Sequence, residues 1–143
     1  VEAVTSVVLG KVEHADRYHP FGFLDEIALQ RAAGAADIVL SRAGAGAIAE
    51  IALWKKPAIL IPIPESVSHD QLSNAYAYAR TGAAVVIEEA NMTPHVIASE
   101  IERIVKNKEL SATMSTSAKQ FTDPDAARVL ANAILTIALE HEV

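Results

Sequence analysis

Three short apolar runs, each followed by a polar or helical stretch, constrain the fold of this chain more than any other feature. They occupy residues 37–40, 58–61 and 84–87. Each is rich in aliphatic residues on both faces, as strands buried inside a parallel sheet are. Between them, apolar residues recur at helical spacing over residues 44–54 and 71–80. This alternation predicts an α/β fold, a Rossmann-like doubly wound parallel sheet with helices on both faces.

Additional elements are predicted before this unit. Residues 3–9 and 21–24 are apolar and β-rich, and we expect a strand at each place. A helix is predicted over residues 26–33, where Asp25 is suited to cap its start and Gly34 to end it.

Three helices are predicted after the unit. Thr93 and Pro94 suit the N-cap and the first position of a helix, and further helices are expected over residues 110–120 and 125–139. The helix over residues 125–139 is expected to have its cap near residues 123–124. At 143 residues the whole chain, 1–143, is expected to form one domain.

Charge and composition narrow the possible functions. The net charge of −6 argues against a general nucleic-acid binder, because phosphate backbones select basic surfaces. Without cysteine there are no disulfides or thiolate ligands, and the five histidines lack metal-ligand spacing, so neither a metal nor a cofactor is predicted. No apolar run reaches the roughly 20 residues of a membrane span. We expect a cytoplasmic chain that makes no membrane contact itself and, lacking an initiator methionine, is a piece of a longer protein.

The segment 41–50 joins a predicted strand to a predicted helix and contains Gly44 and Gly46. Glycine accepts a positive φ and lets another group approach the backbone closely, and unpaired amides at a helix start attract anions such as phosphate. Glu50, about one turn further, is placed to accept hydrogen bonds from a sugar hydroxyl. Tight packing between strand and helix explains the glycines equally well. Arg42 has two equal interpretations, a diphosphate contact or an ion pair with a carboxylate such as Asp37 or Glu50.

Loops that follow parallel strands meet at one edge of the sheet, which is where ligands bind in such folds. Residues 23–26, 42–46, 62–71 and the turn after Ile87 are expected at this edge. Gln71 and Asn74 are three residues apart and share a helix face, so their amides are available to sugar hydroxyl or acetamido groups. The alternative is that Ser68 or Asp70 caps this helix while both amides face solvent. The acidic residues at 88–89 and 100–102 are interpreted as solvated.

An ordered series of motifs resembles a known family. It comprises residues 37–46 (DIVLSRAGAG), 49–50 (AE), 56–64 (KPAILIPIP), 71–75 (QLSNA) and 81–84 (TGAA). The series is similar to the C-terminal domain of the family 28 glycosyltransferases with the GT-B fold, the family of the N-acetylglucosaminyltransferase MurG. Within this family, the N-acetylglucosaminyltransferase completes lipid II in peptidoglycan synthesis. The resemblance extends from about residue 21 to residue 139.

The resemblance implies a donor-binding domain for UDP-N-acetylglucosamine. It implies that the backbone of Phe23 and Leu24 contacts uracil and that Glu50 binds the ribose hydroxyls. It places the diphosphate at the amides of Gly44, Ala45, Gly46 and Ala47. The N-acetylglucosamine is assigned to Gln71 and Asn74.

The resemblance also implies an inverting transfer without a metal ion, onto a lipid-linked muramoyl-pentapeptide. The resemblance implies an N-terminal domain that binds this acceptor and supplies the catalytic base, and we expect that domain and the first strand of the C-terminal sheet to be missing here. Residues 3–9, another chain or segments outside this sequence are expected to take the place of that strand. We therefore expect no catalytic residue here and no activity of the chain alone. Two alternatives remain open, a UDP-sugar-binding subunit that requires a separate acceptor-binding partner and an epimerase-like domain for UDP-N-acetylglucosamine.

Overall fold

A computed structural model describes residues 15–123 and 125–140, and its centre is a parallel sheet of three strands. The strands are β1 (Val39–Ser41), β2 (Ala58–Leu60) and β3 (Ala84–Val86), arranged in the order β1-β2-β3. Val39 pairs with Ala58, and Ala58 with Ala84, so the three strands end at the same level. The contacts divide the chain into two units, one ending at Gly34 and the second beginning at Ala35.

Six α-helices and two short 3-10 helices make up the rest of the described elements. The α-helices are α1 (Glu26–Ala35), α2 (Ala45–Trp54), α3 (His69–Ala79), α4 (Pro94–Lys106), α5 (Lys108–Phe121) and α6 (Ala126–Glu140). The 3-10 helices are Ala15–Arg17 and Glu89–Asn91. Helices α2 and α3 connect β1 to β2 and β2 to β3, as parallel pairing requires.

The central strand β2 is buried on both faces. The expected two-sided burial of the run at 37–40 is wrong for β1, where Leu40 is 46% exposed at the edge of the described sheet. Ala58 and Leu60 of β2 pack in a cluster with residues of α2 and α3 that include Ile51 and Tyr78. Ile59, between them in sequence, faces the opposite way and packs with Ile104 of α4 and other residues of that cluster. Successive residues of a strand point to opposite faces, so two clusters around one strand mean that helices cover both sides. The predicted α/β architecture is confirmed.

Two predicted helix caps are confirmed. The Thr93 hydroxyl oxygen accepts a hydrogen bond from the Val96 backbone N–H at 3.2 Å, with Pro94 in the first turn. The Asp25 carboxylate accepts one from Ala28 N–H at 2.8 Å. Each side chain satisfies a donor that has no partner within its own helix.

Of three predictions for the N-terminal part, two are wrong and one lies outside the described residues. Residues 21–24 form no strand, and Phe21 and Phe23 are 64% and 89% exposed, so the predicted strand is wrong. Their β-propensity lacks the buried, paired surroundings that turn such a preference into a strand. Gly34 does not end its helix, because α1 continues to Ala35. The strand predicted over residues 3–9 lies outside the described residues.

Helix α6 is exposed along its whole length. Its large apolar side chains are Val129, Leu130, Ile134, Leu135, Ile137 and Leu139. Arg128, Asn132 and Thr136 follow one another at four-residue steps and form a polar stripe on the helix. Within residues 15–123 and 125–140, neither this helix nor any other has the length and apolar character needed to cross a membrane.

Candidate functional site

The start of α2 presents backbone amides at the carboxyl end of β1. Gly44 occupies the N-cap position in an extended conformation, with φ −65° and ψ 145°, and supplies no side-chain cap. The first hydrogen bond of the helix runs from Ile48 N–H to the Gly44 carbonyl oxygen at 3.0 Å. The N–H groups of Ala45, Gly46 and Ala47 therefore precede the first helical hydrogen bond. Such groups carry partial positive charge and bind anions.

The two glycines are required neither by backbone conformation nor by packing. The φ of Gly44 is negative, and Gly82 is the only described glycine with a positive φ. A Cβ built at Gly44 or Gly46 meets no atom within 4 Å. Neither a positive φ nor tight packing therefore explains these two glycines. What remains is the open space beside both positions.

Glu50 lies on the exposed side of α2, four residues after Gly46. Residues four apart share a helix face, whereas Ile48 and Ile51 are buried on the opposite side. The Glu50 carboxylate therefore lies one turn along the same exposed face as the first amides. This is the relationship that a ligand with an anionic group and a hydroxyl group requires.

Gln71 connects the start of α3 with two other segments. Its Oε1 accepts a hydrogen bond from Ala43 N–H, just before the glycines, and another from Ile63 N–H, each at 3.2 Å. Asn74 follows at three-residue spacing and is half-buried. These bonds confirm that the loops after β1 and β2 converge at one edge. Ser68 occupies the N-cap position of α3 without a side-chain cap bond.

Arg42 pairs with a residue that the sequence did not point to. Its Nη1 lies 2.5 Å from Glu89 Oε2 and 3.4 Å from the Ile61 carbonyl oxygen. Of the two interpretations of Arg42, an ion pair with a carboxylate is formed, but its partner is Glu89 and neither Asp37 nor Glu50, and Glu89 is therefore not merely solvated. The diphosphate contact of Arg42 stays a prediction. One signal was present in the sequence. Glu89 follows β3 closely, and the ends of parallel strands share an edge.

The similarity to known proteins identifies the family. Residues 2–130 match the model of the glycosyltransferase family 28 C-terminal domain. The chain belongs to glycosyltransferase family 28. The predicted resemblance is confirmed.

Two relatives of this chain carry the same name. A protein of Rhizobium rhizogenes is 39% identical over 110 residues, covering 77% of this chain and 29% of the relative. A protein of Sorangium cellulosum is 36% identical over 137 residues, covering 96% and 33%. Both are named UDP-N-acetylglucosamine–N-acetylmuramyl-(pentapeptide) pyrophosphoryl-undecaprenol N-acetylglucosamine transferase. The chain therefore spans about a third of the length of these relatives.

A crystal structure from the same family supports the fold. The chain superposes on Acinetobacter baumannii MurG with a TM-score of 0.70 and 29% sequence identity, covering 81% of this chain and 33% of that one. The three-stranded parallel sheet with its helices is thus the Rossmann-like C-terminal half of a GT-B enzyme of family 28.

Next to the amide-bearing turn of this family 28 domain lies an acidic cavity of about 230 Å³. The cavity is lined by Pro62, Ile63, Pro64, Glu65, Leu72, Glu88, Glu89 and Ala90. Glu88 accepts a hydrogen bond from the Tyr76 hydroxyl at 2.6 Å, and this bond raises the pKa of Tyr76. Carboxylates repel phosphate, so this cavity suits a hydroxyl-bearing group better than the diphosphate.

Two of the predicted site residues lie in the other unit. Phe23 and Leu24 precede Gly34 in the chain, Phe23 is exposed and Leu24 is half-buried. Their contact with uracil stays a prediction. Within the described ranges, no group of three or more histidine, aspartate or glutamate side chains is arranged to hold a metal ion.

Proposed function

We propose that this chain is the donor-binding domain of an N-acetylglucosaminyltransferase and binds UDP-N-acetylglucosamine. The observation that carries the proposal is the open turn at residues 43–47. Its amides precede the first hydrogen bond of α2, its glycines leave space that no protein atom fills, and Gln71 joins it to the next loop. The names of the relatives support this choice of ligand.

Each part of the donor has a matching group in the site. The amides of Ala45, Gly46 and Ala47 bind the diphosphate and stabilise the charge that grows on it as the sugar leaves. Arg42 adds a positive charge at the same edge, so the chain's own groups contribute to this stabilisation. Glu50 accepts hydrogen bonds from the ribose hydroxyls. Residues 23–24 contact uracil through their backbone.

The sugar belongs at the start of α3. Gln71 and Asn74 offer amide groups to the hydroxyl and acetamido groups of N-acetylglucosamine. These residues lie beside the turn that binds the diphosphate, since Gln71 is bonded to Ala43. We expect the anomeric carbon, which joins sugar to diphosphate, to lie between the two sets of residues.

The transfer itself uses groups beyond this chain. The acceptor is a lipid-linked muramoyl-pentapeptide, held by another domain at the cytoplasmic face of the membrane. A base of that domain takes the proton of the acceptor hydroxyl as its oxygen bonds to the anomeric carbon, and the bond to the diphosphate breaks. UDP leaves and the anomeric centre is inverted. This chain alone binds the donor and transfers nothing.

Titration calorimetry of the chain with UDP-N-acetylglucosamine and UDP-glucose tests the proposal. We expect binding of both, with tighter binding of the N-acetylated sugar. Titrations at two temperatures guard against a binding enthalpy that passes through zero at one of them. A well-folded chain that gives no heat with either nucleotide sugar at both temperatures contradicts the proposal.

A further inference from the structure

The Gln71 side chain uses one atom to hold two loops. Its Oε1 accepts hydrogen bonds from Ala43 N–H, in the loop before α2, and from Ile63 N–H, in the loop before α3. Both partners are backbone donors, so only the oxygen of the amide can face them. The orientation of the Gln71 amide therefore follows from its chemistry.

These two bonds hold the first residues of both loops, just beyond the backbone bond from Ile61 N–H to the Ser41 carbonyl oxygen. Ala43 is fully buried, and its N–H without an acceptor would be a buried unpaired donor, which is costly. Ala43 also directly precedes Gly44, whose extended backbone begins the amide-bearing turn. Ile63 lies between two prolines and lines the acidic cavity. Gln71 thus fixes the position of both loops at their ends nearest the sheet.

We propose that Gln71 is a positioning residue for the diphosphate part of the donor, in addition to its contact with the sugar. Its oxygen holds residues 43–47 in the geometry that presents the amides of Ala45, Gly46 and Ala47 to the phosphates. The ligand in this inference rests on the proposed function, whereas the connection between the loops does not.

A consequence concerns the polarity of the sugar contact. With Oε1 occupied by two backbone donors, the Gln71 amide offers only the two hydrogens of Nε2 to a ligand. The group that it recognises must accept hydrogen bonds, as a hydroxyl oxygen or an acetamido carbonyl oxygen does. A ligand group that only donates, such as an ammonium, is disfavoured at this position.

Hydrogen exchange without ligand tests the connection. We compare wild type with Gln71→Leu, which removes the acceptor, and Gln71→Glu, whose carboxylate still accepts from both amides. Ser73→Ala, on the exposed side of the same helix, is the control. Exchange of the Ala43 and Ile63 amides is expected to speed up in Gln71→Leu alone. Unchanged exchange of both amides in Gln71→Leu overturns the inference.

Binding of UDP, which lacks the N-acetylglucosamine, tests the positioning role. Gln71→Leu is expected to weaken UDP binding about tenfold, as loss of a well-placed hydrogen-bonding group does. At high salt, which weakens the repulsion between the added charge and the phosphates, Gln71→Glu is expected to bind UDP more tightly than Gln71→Leu does. Ser73→Ala binds UDP as wild type does.

The outcomes separate the two proposals. Gln71→Leu could bind UDP as wild type does and lose only the extra affinity that wild type has for UDP-N-acetylglucosamine over UDP. In that case Gln71 contacts the N-acetylglucosamine and the positioning role is wrong. If both Gln71 variants lose UDP binding equally at high salt, the acceptor role of Oε1 is wrong. If wild type binds neither UDP nor UDP-N-acetylglucosamine, the proposed function fails, and hydrogen exchange still decides whether Gln71 joins the loops.

Discussion

Arg42 and Glu89 form an ion pair across the ends of all three strands, with Nη1 2.5 Å from Oε2. Arg42 follows β1, Glu89 lies in the turn after β3, and the Ile61 carbonyl oxygen between them follows β2. The pair is about half exposed, at 48% and 39% of the two side chains. The positive charge nearest the proposed diphosphate site is therefore partly neutralised before any ligand arrives.

Replacing Glu89 with Gln is expected to tighten UDP binding. The substitution releases Arg42 and removes a negative charge from the edge of the sheet. We expect a gain of about two- to fivefold at low salt, since exposed ion pairs contribute up to about 1 kcal/mol. The free energy of unfolding should fall by no more than the same amount. Titration of each variant with UDP at low and high salt measures the effect.

Glu102→Gln is the matched control for this substitution. It removes an equal charge from the exposed ion pair that Glu102 forms with Lys106 on α4. We expect UDP affinity to stay at the wild-type value. Weaker UDP binding by Glu89→Gln than by wild type would show that the Glu89 carboxylate positions Arg42 for the ligand and does not compete with the diphosphate for it.

Gly46→Ala is expected to lower the affinity for UDP without lowering the thermal stability of the fold. The added methyl group meets no protein atom, and alanine in a helix is favoured over glycine by up to about 1 kcal/mol. The thermal midpoint should therefore stay constant or rise while UDP affinity falls, because the methyl group occupies ligand space. Gly34→Ala in α1, where a Cβ also meets no atom within 4 Å, should raise stability with no change in affinity. Equal UDP binding by both variants would contradict the assignment of this turn.

Glu50→Ala is expected to weaken UDP binding by about 1–3 kcal/mol, the usual loss for a hydrogen bond to a charged group. UDP contains the ribose but lacks the N-acetylglucosamine, so UDP and UDP-N-acetylglucosamine should lose the same amount of binding free energy. Calorimetry with both ligands gives the comparison. Unchanged affinity would remove Glu50 from the site.

Lys55→Gly is expected to stabilise the fold away from the ligand. Lys55 ends α2 with φ 57° and ψ 41°, the left-handed conformation that costs a residue with a side chain about 1 kcal/mol. Glycine removes this strain, so denaturation should give a free energy of unfolding higher by about 1 kcal/mol. Lys55→Ala, which loses the charge and keeps the strain, is the control. Equal stability of the two variants would show that the strain is not the cause.

Tyr78→Phe is expected to change the alkaline stability of the fold. The Tyr78 hydroxyl is buried without a hydrogen-bond partner among the described residues, and burial raises its pKa from 10.0 to about 12. Above pH 10 the unfolded chain loses this proton first, so wild-type stability declines as the pH rises towards 12. The Phe variant lacks this contribution and should equal or exceed wild type at neutral pH, since it keeps the packing against Phe121.

Unfolding of both proteins between pH 8 and about pH 12 measures this difference, with the range set by the usual tyrosine pKa. Tyr76 also has a raised pKa, so the comparison is best made with Tyr76→Phe in both chains. A constant difference in stability across this range would contradict the role of Tyr78.

The sequence predicted the features whose partners lie close along the chain. Thr93 bonds to Val96 and Asp25 to Ala28, each three residues away, so a short pattern contains the whole interaction. The apolar runs predicted the parallel sheet because each carries its own burial pattern. Once the sheet was parallel, the approach of Gln71 to the glycine turn followed from topology.

The remaining features depend on distant partners or on backbone angles that no residue type fixes. Arg42 meets Glu89 across 47 positions of the sequence, and several carboxylates were equally eligible. Gly44 is compatible with positive and negative φ, so the residue type does not fix the observed angle of −65°. Residues 21–24 have strand-forming side chains, but burial and pairing decide whether such a run becomes a strand.

The open space in front of Gly44 and Gly46 has an evolutionary consequence. Neither backbone angle nor neighbouring atoms forbid a side chain at these positions, so protein folding places little restriction on them. Under the proposed function, variation at these two positions is limited by the diphosphate and not by folding. A methyl group added at either position then changes the affinity for the ligand while the scaffold keeps its stability.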